Sequence, residues 1–256
     1  MEINNVTYSY DHKKNHLDGV NAEIELGKIT TIIGPNGCGK STLLGVISNN
    51  YIPHQGQVIL QGKKLAKYKS KELAKKVAVV HQQNSAPADM TVERLISYGR
   101  LPYKSMFSST SSKDTEAIEW ALNQTNLGSK RNVMIEALSG GERQRVWIAM
   151  TLAQSTPYLF LDEPTTYLDI YYQYEILELI KRLNVELGLT IVMVLHDINQ
   201  AIRYSDTIIA MKDGKIVTKG KPEQIITDKL MKEVYGVDVL IKEDEKTGLY
   251  TIPVGI

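Results

Sequence analysis

The sequence predicts an α/β fold built on a mostly parallel sheet, and three observations carry that expectation. Residues 28–33 (KITTII) are β-branched and nearly continuous in apolar character, which suits a strand buried on both faces of a parallel sheet. A glycine-rich stretch follows, and then residues 41–48 with helical character, stopped by Asn49-Asn50 and Pro53, so the order is strand, loop, helix. Two later apolar runs, 158–161 and 190–195, each meet polar residues at once: Asp162-Glu163 and His196-Asp197. Ligands of open α/β sheets bind beyond the strands' C-terminal ends, where these groups would sit.

The first strand leads into GPNGCGKS, residues Gly34, Pro35, Asn36, Gly37, Cys38, Gly39, Lys40 and Ser41, which fits G-x-x-x-x-G-K-[ST] in full. The glycines permit backbone angles that aim successive amides inward, and the following helix adds its positive end, so a polyphosphate gains several donors. Lys40 would neutralise the β and γ phosphates, and Ser41 supplies the hard oxygen that Mg²⁺ prefers. Thr42 extends the expected nucleotide contact by one residue. Cys38 reads as a small residue whose amide matters rather than as a redox switch.

The second apolar run, in YLFLDEP (158–164), ends in two acids at a place where a carboxylate is costly unless it meets a cation. Asp162 is expected to hold Mg²⁺, directly or through one of the ion's own ligands, and Glu163 would polarise the water that attacks the γ phosphate. Taken alone, such a pair reads as a turn or helix cap; the phosphate loop upstream reverses that preference. His196 follows the third run and would project toward the nucleotide, where a neutral imidazole can donate to the γ phosphate. Gln82 closes another apolar run, 77–80, and could reach the metal or the attacking water, with Gln83 beside it as the alternative.

Between residues 83 and 156 the composition changes. Helical apolar spacing occurs over 92–98 and 116–122, and serine-rich 105–113 reads as an exposed loop. The expected layout is therefore a single domain: a core over 1–82 and 157–220, a helical subdomain over 83–156 and a C-terminal extension over 221–256. The extension carries one helical stretch, 222–235, and then a mixed acidic and basic tail. Residues 63–76 hold seven lysines and one acid, Glu72, and read as a solvated helix face.

LSGGERQR (138–145) contains a capping box in which Ser139 and Glu142 start a helix over 143–153. Its paired glycines also leave the first amides exposed as a second anion site. Two complementary half-sites in one chain suggest a head-to-tail dimer enclosing two nucleotides.

Composition narrows the partners. The 256 residues are 43% hydrophobic and 23% charged, enough for a sizeable core, and 30 Lys and Arg against 29 Asp and Glu give a formal charge of +1. No field of that size gathers nucleic acid, so none is expected as a partner. The single cysteine excludes an internal disulfide, residues 1–15 lack the apolar stretch of a signal peptide, and the cytosol is the expected compartment. No run approaches the about 20 apolar residues needed to span a bilayer, so membrane work would pass through a partner.

With GPNGCGKS, Gln82, LSGGERQR, YLFLDEP, TTYLD (165–169) and His196 in this order, residues 1 to about 225 resemble the ATP-binding cassette (ABC) ATPases. The resemblance implies a P-loop NTPase core with an N-terminal antiparallel β region, the inserted helical subdomain, ATP and Mg²⁺ as ligands, and ATP hydrolysis coupled to transport. It further implies that Tyr10, or alternatively Tyr8, stacks on adenine, and that Ser139, Gly140 and Gly141 bind the nucleotide of the opposite subunit. Asp169 would communicate across that interface. YGRLPY (98–103), TTYLD and VYGVDV (234–239) resemble the branch serving ferric siderophore, haem and cobalamin importers. An iron-chelate importer is the leading expectation, with a haem or cobalamin importer or an exporter as rivals and a non-transport cassette behind them. The implied partners are transmembrane permease subunits and, indirectly, an extracytoplasmic substrate-binding protein. The dimer would form from two copies of this chain or with a related ATPase, at the cytoplasmic face of the membrane.

Overall fold

All five residues of Ile29–Ile33 and all five of Thr190–Val194 are buried, which is what a continuous β-branched run predicts for the interior of a parallel sheet. The described residues of the computed structural model are 1–87, 89–104 and 111–256. They divide into two units, one of Met1–Tyr68 with Thr190–Ile256 and one of Lys69–Leu189.

In chain order the first unit opens with β1 (Glu2–Tyr8), β2 (Leu17–Glu23), β3 (Ile29–Ile33), α1 (Lys40–Ile47), β4 (Gln55–Leu60) and β5 (Lys63–Lys64). The second unit supplies α2 (Ser70–Leu73), β6 (Val77–Val80), α3 (Val92–Ser97), α4 (Ser112–Gln124), α5 (Gly140–Ala153), β7 (Tyr158–Asp162) and α6 (Ile170–Leu187). The chain then returns to the first unit with β8 (Thr190–Val194), α7 (Ile198–Tyr204), β9 (Thr207–Lys212), β10 (Lys215–Gly220), α8 (Pro222–Ile225), α9 (Asp228–Tyr235), β11 (Asp238–Asp244) and β12 (Gly248–Gly255).

Within the first unit, strands run in the order β10, β9, β3, β8, with β3 parallel to both neighbours and β10 antiparallel at the edge. A separate antiparallel sheet, β2-β1-β4-β5, is the N-terminal β region that the resemblance implied. In the second unit β6 and β7 pair in parallel from Val77 opposite Tyr158 to Val80 opposite Leu161. Helices α3, α4 and α5 pack on one another around Val92, Ile96, Leu122, Val146 and Ala149, all fully or almost fully buried. Among the described residues no helix is long and apolar enough to cross a membrane.

Several local expectations are corrected. The helix expected over 222–235 is two helices, because Thr227 accepts a hydrogen bond from the Leu230 amide at 3.1 Å and starts a new one. The tail beyond it is an antiparallel hairpin of β11 and β12. The lysine-rich run over 63–76 is not one helix face but β5, a 3₁₀ turn, α2 and the approach to β6. Its lysines do stay largely at the solvent, with Lys63 lying 4.2 Å from the centre of the Tyr68 ring. Of the loop expected over 105–113, residues 105–110 lie outside the described residues, while Ser111 caps α4 and Ser112 and Lys113 begin it.

Candidate functional site

The phosphate loop of the first unit runs from the end of β3 to the start of α1 and is held by backbone packing. Gly34 adopts φ 148°, and a Cβ there would lie 2.3 Å from the Met211 carbonyl oxygen and 2.7 Å from Cys38 Sγ. Gly39, the residue before α1, adopts φ 106°, and its Cβ would meet the His16 carbonyl oxygen at 2.5 Å. Gly37 also has positive φ, at 76°, but open space around it. The loop's underside is pinned by the Gly214 amide donating to the Cys38 carbonyl at 2.9 Å and by the Asp18 amide donating to Gly214 at 2.9 Å.

Lys40 is only 5% exposed, and its ammonium donates to the carbonyls of Gly34 at 2.9 Å and Pro35 at 3.0 Å. A buried ammonium needs such partners, and carbonyl oxygens can release it to a stronger anion. Helix α1 has no side-chain cap and no acidic residue in its first turn, so its positive end is not neutralised from within. Cys38 is buried, and burial pushes its thiol pKa up, away from the reactive thiolate. Pro35 is half-buried, Asn36 and Ser41 are exposed, and Thr42 is buried.

Tyr10 reaches the helix that follows this loop: its hydroxyl lies 3.2 Å from Thr42 Oγ1, while the residue is 52% exposed. Three rings meet it edge-on, Tyr8 at 5.1 Å, His16 at 4.6 Å and Tyr51 at 5.4 Å between centroids. Tyr8 is instead occupied by stacking, on Tyr51 at 5.2 Å and on His54 at 5.4 Å. Tyr51 can lie against α1 because position 45 is glycine; a Cβ there would come within 2.4 Å of the Tyr51 ring. His196 follows β8 and is exposed. Strand β8 pairs with β3 so that Val194 faces Ile32, and extending that register by two residues puts His196 level with Gly34.

The second unit holds the remaining candidates. Asp162 is the last residue of β7, and Glu163 beyond it takes a left-handed φ of 50°. Extending the β6–β7 register by two residues puts Gln82 level with Glu163, and the Gln82 amide donates to Glu163 Oε2 at 2.6 Å. The Thr166 hydroxyl donates to the same oxygen at 3.0 Å. Gln82, rather than Gln83, therefore makes the contact with this carboxylate.

Ser139 caps α5 with a complete capping box: its hydroxyl accepts from the Glu142 amide at 3.3 Å, and its own amide donates to Glu142 Oε2 at 3.0 Å. The helix begins at Gly140, three residues earlier than the sequence suggested, because the two glycines form its first turn. Lys130 pairs with Glu142 and, with the Ser139 bonds, holds that carboxyl down at about 2. Gly141 is pressed against the Tyr172 ring, where a Cβ would come within 2.7 Å, and a Cβ on Gly140 would meet Leu168 at 3.4 Å. The turn of Ser139, Gly140 and Gly141 thus packs on the start of α6, whose N-cap is Asp169. Arg145 on α5 also pairs with Glu175 on α6 at 2.9 Å.

The first unit thus gathers Tyr10, residues 34–42 and His196, and the second joins Glu163 to Gln82 and Ser139–Gly141 to the Asp169 helix. Thr166, His16, Tyr51 and the Arg100–Asp114 pair were not found by sequence reasoning. Only Tyr51 left a signal, as the aromatic following the helix that Asn49-Asn50 terminates. Arg100, from YGRLPY, is 6% exposed; it donates to Asp114 at 2.9 Å and to the Ala153 carbonyl at 2.7 Å, tying the end of α5 to the start of α4.

Comparison with known proteins identifies the family. The family profile described as ABC transporter matches residues 17–166. The iron(3+)-hydroxamate import ATP-binding protein FhuC of Bacillus subtilis is 48% identical over 90% of this chain and 86% of its own length. The ferric enterobactin transport ATP-binding protein FepC of Escherichia coli is 43% identical, over 93% of this chain and 88% of its own. The petrobactin import ATP-binding protein FpuC of Bacillus anthracis is 42% identical over 98% and 92%. Among solved structures, a chain of an ABC transporter in an inward-facing conformation superposes with TM-score 0.86 at 25% identity, covering 100% of this chain and 96% of that one. The dimeric cassette MJ0796 bound to ADP and Pi gives TM-score 0.73 at 34% identity over 86% and 98%. A profile match over more than half its length, joined to relatives this similar over nearly all of it, means that the chain belongs to the ABC transporter ATPase family.

Proposed function

We propose that this chain is the ATP-hydrolysing subunit of an importer of iron chelates, working on permease subunits at the cytoplasmic face of the membrane. An extracytoplasmic substrate-binding protein would deliver the chelate to those permeases. The observation that carries this reading is the run of siderophore-import relatives at 42–48% identity over at least 90% of the chain.

The residues fit the chemistry. Amides of the loop 34–39 and the ammonium of Lys40 bind the phosphates, Thr42 adds a hydroxyl, and Tyr10 offers its exposed ring to the base. Ser41, Asp162 and Gln82 are hard oxygen donors of the kind Mg²⁺ takes. Bound Mg²⁺ would neutralise charge on the β and γ phosphates. Glu163 acts as the base that orients and deprotonates the attacking water, and His196 donates to the γ phosphate. Ser139, Gly140 and Gly141, with Asp169, serve the nucleotide of the opposite subunit in a head-to-tail dimer, formed with a second copy or a related ATPase. Closure on ATP and release after hydrolysis then move the permeases, which contact the helical subdomain over 83–156 and the loop containing Gln82.

The test is uptake of radiolabelled iron, presented on a panel of chelators, in iron-starved cells whose only copy is wild type or Glu163→Gln. Loss of uptake from one chelate or chemical group, with others unaffected, is the expected outcome and names the cargo. Normal entry of every chelate in the variant would overturn the iron-import reading.

A further inference from the structure

The carboxylate assigned as base does not stand alone on its strand end. Residues 163–166 form a turn in which the Thr166 amide donates to the Glu163 carbonyl at 3.2 Å, with Pro164 at the second position. The same turn returns the Thr166 side chain over Glu163, where its hydroxyl donates to Oε2 at 3.0 Å. One residue therefore secures both the backbone and the side chain of Glu163. Its neighbour Thr165 is 8% exposed and buried in the turn, so the two adjacent threonines have different surroundings.

Glu163 needs such support. It is a non-glycine residue at φ 50°, a conformation that persists only where surrounding contacts over-determine it. The side chain has several rotatable bonds, and a base must be aimed within a few tenths of an ångström to act. Gln82 also donates to Oε2, at 2.6 Å, but it lies in a different segment, the loop that follows β6. Thr166, three residues away, is the donor that belongs to the same turn as Glu163.

We propose that Thr166 is a positioning residue for hydrolysis, fixing the direction of the Glu163 carboxylate through Oε2; this rests on the reading of Glu163 as the base. Thr166→Val keeps the shape and removes the donor. It should lower kcat by about 10- to 100-fold, the cost of a misaligned catalytic group, while ATP affinity by titration and the melting temperature stay unchanged. Thr166→Ser, which retains the hydroxyl, should restore kcat to within about threefold. In single-turnover assays Thr166→Val should add no further loss in the Glu163→Gln background, since it acts only through that carboxylate. A further loss there, or full activity of Thr166→Val beside an inactive Glu163→Gln, would overturn the positioning role alone. Full activity of Glu163→Gln itself would remove the base assignment and the proposal with it.

Discussion

The phosphate loop of the first unit and the carboxylate turn of the second each follow a buried parallel strand, yet they are held in different ways. The loop is fixed by backbone meeting backbone: Gly34 against the Met211 carbonyl and Gly39 against the His16 carbonyl, with Gly214 donating beneath. The carboxylate at the turn is instead aimed by side chains: Gln82 and Thr166 converge on one oxygen of Glu163, just as Lys130 and Ser139 hold Glu142 at the start of α5. Backbone packing leaves no room for any side chain, so it forces glycine and shows itself in the sequence. Side-chain hydrogen bonds tolerate several residue types and leave only faint traces.

The largest effect expected from this contrast is at Gly34. Gly34→Ala would drive a Cβ into a carbonyl oxygen at 2.3 Å, whereas Gly37→Ala meets open space and bears only the strain of a positive φ. The strain alone costs roughly 1–2 kcal/mol, so Gly37→Ala should weaken ATP binding by about tenfold. Gly34→Ala should weaken it by at least about 100-fold, measured by titration on protein whose folding is checked by melting temperature. Equal losses at the two glycines would break the comparison, because packing would then add nothing to conformational strain.

The next effect is on stability and belongs to the side-chain-built unit. Arg100 and Asp114 pair at 2.9 Å with side chains 8% and 6% exposed, so Asp114→Ala would leave a guanidinium buried without its carboxylate. That change should cost about 3–5 kcal/mol in urea unfolding. Arg100 first, with help from Ser111, holds the Asp114 carboxyl at about 2 instead of 3.8, and Lys130 and Ser139 hold Glu142 at about 2 instead of 4.5. Both pKa values are lowered on folding. The stability they contribute is therefore complete above about 4.5 and is lost as pH falls from there toward about 2. Acid titration of Asp114→Ala with Glu142→Gln should show a flatter decline over that window than wild type. An unchanged slope would mean that these pairs do not govern the acid stability of this unit.

The same contrast explains what was legible in advance. Strands β3 and β8 were readable because burial on both faces demands continuous apolar residues, and the loop was readable because its geometry demands glycine. The Ser139–Glu142 capping box of α5 was readable because such a box is local, although the helix begins three residues sooner than expected. By contrast, Arg100 finds Asp114 fourteen positions away, Tyr51 finds Tyr8 across two strands and a helix, and Thr227 splits one expected helix in two by capping the second half. Nothing in the pair Thr165-Thr166 distinguishes the buried residue from the one that holds Glu163; only the turn does. The hairpin of β11 and β12 was equally hidden, since its strands mix charged and apolar residues without clean alternation.

The smallest expected effect lies at Tyr10, where the two modes of support meet on one residue. Its hydroxyl has a side-chain contact, Thr42 at 3.2 Å, while its ring is held by the edges of Tyr8, His16 and Tyr51. If the rings set its direction, Tyr10→Phe should change ATP affinity by less than about threefold, because a partly exposed neutral hydrogen bond contributes only about 0.5–1.5 kcal/mol and the packing survives. Tyr10→Ala removes the face offered to the base and should weaken binding by about tenfold or more, in keeping with about 1–3 kcal/mol for stacking on an aromatic. His16→Ala then separates the modes further: it leaves the hydroxyl contact intact but opens one edge of the cage, and a loss exceeding that of Tyr10→Phe would assign the direction of the ring to its aromatic neighbours. A larger loss in Tyr10→Phe than in His16→Ala would assign it to Thr42, and Tyr10 would then belong with the carboxylate turn as a group aimed by a hydrogen bond.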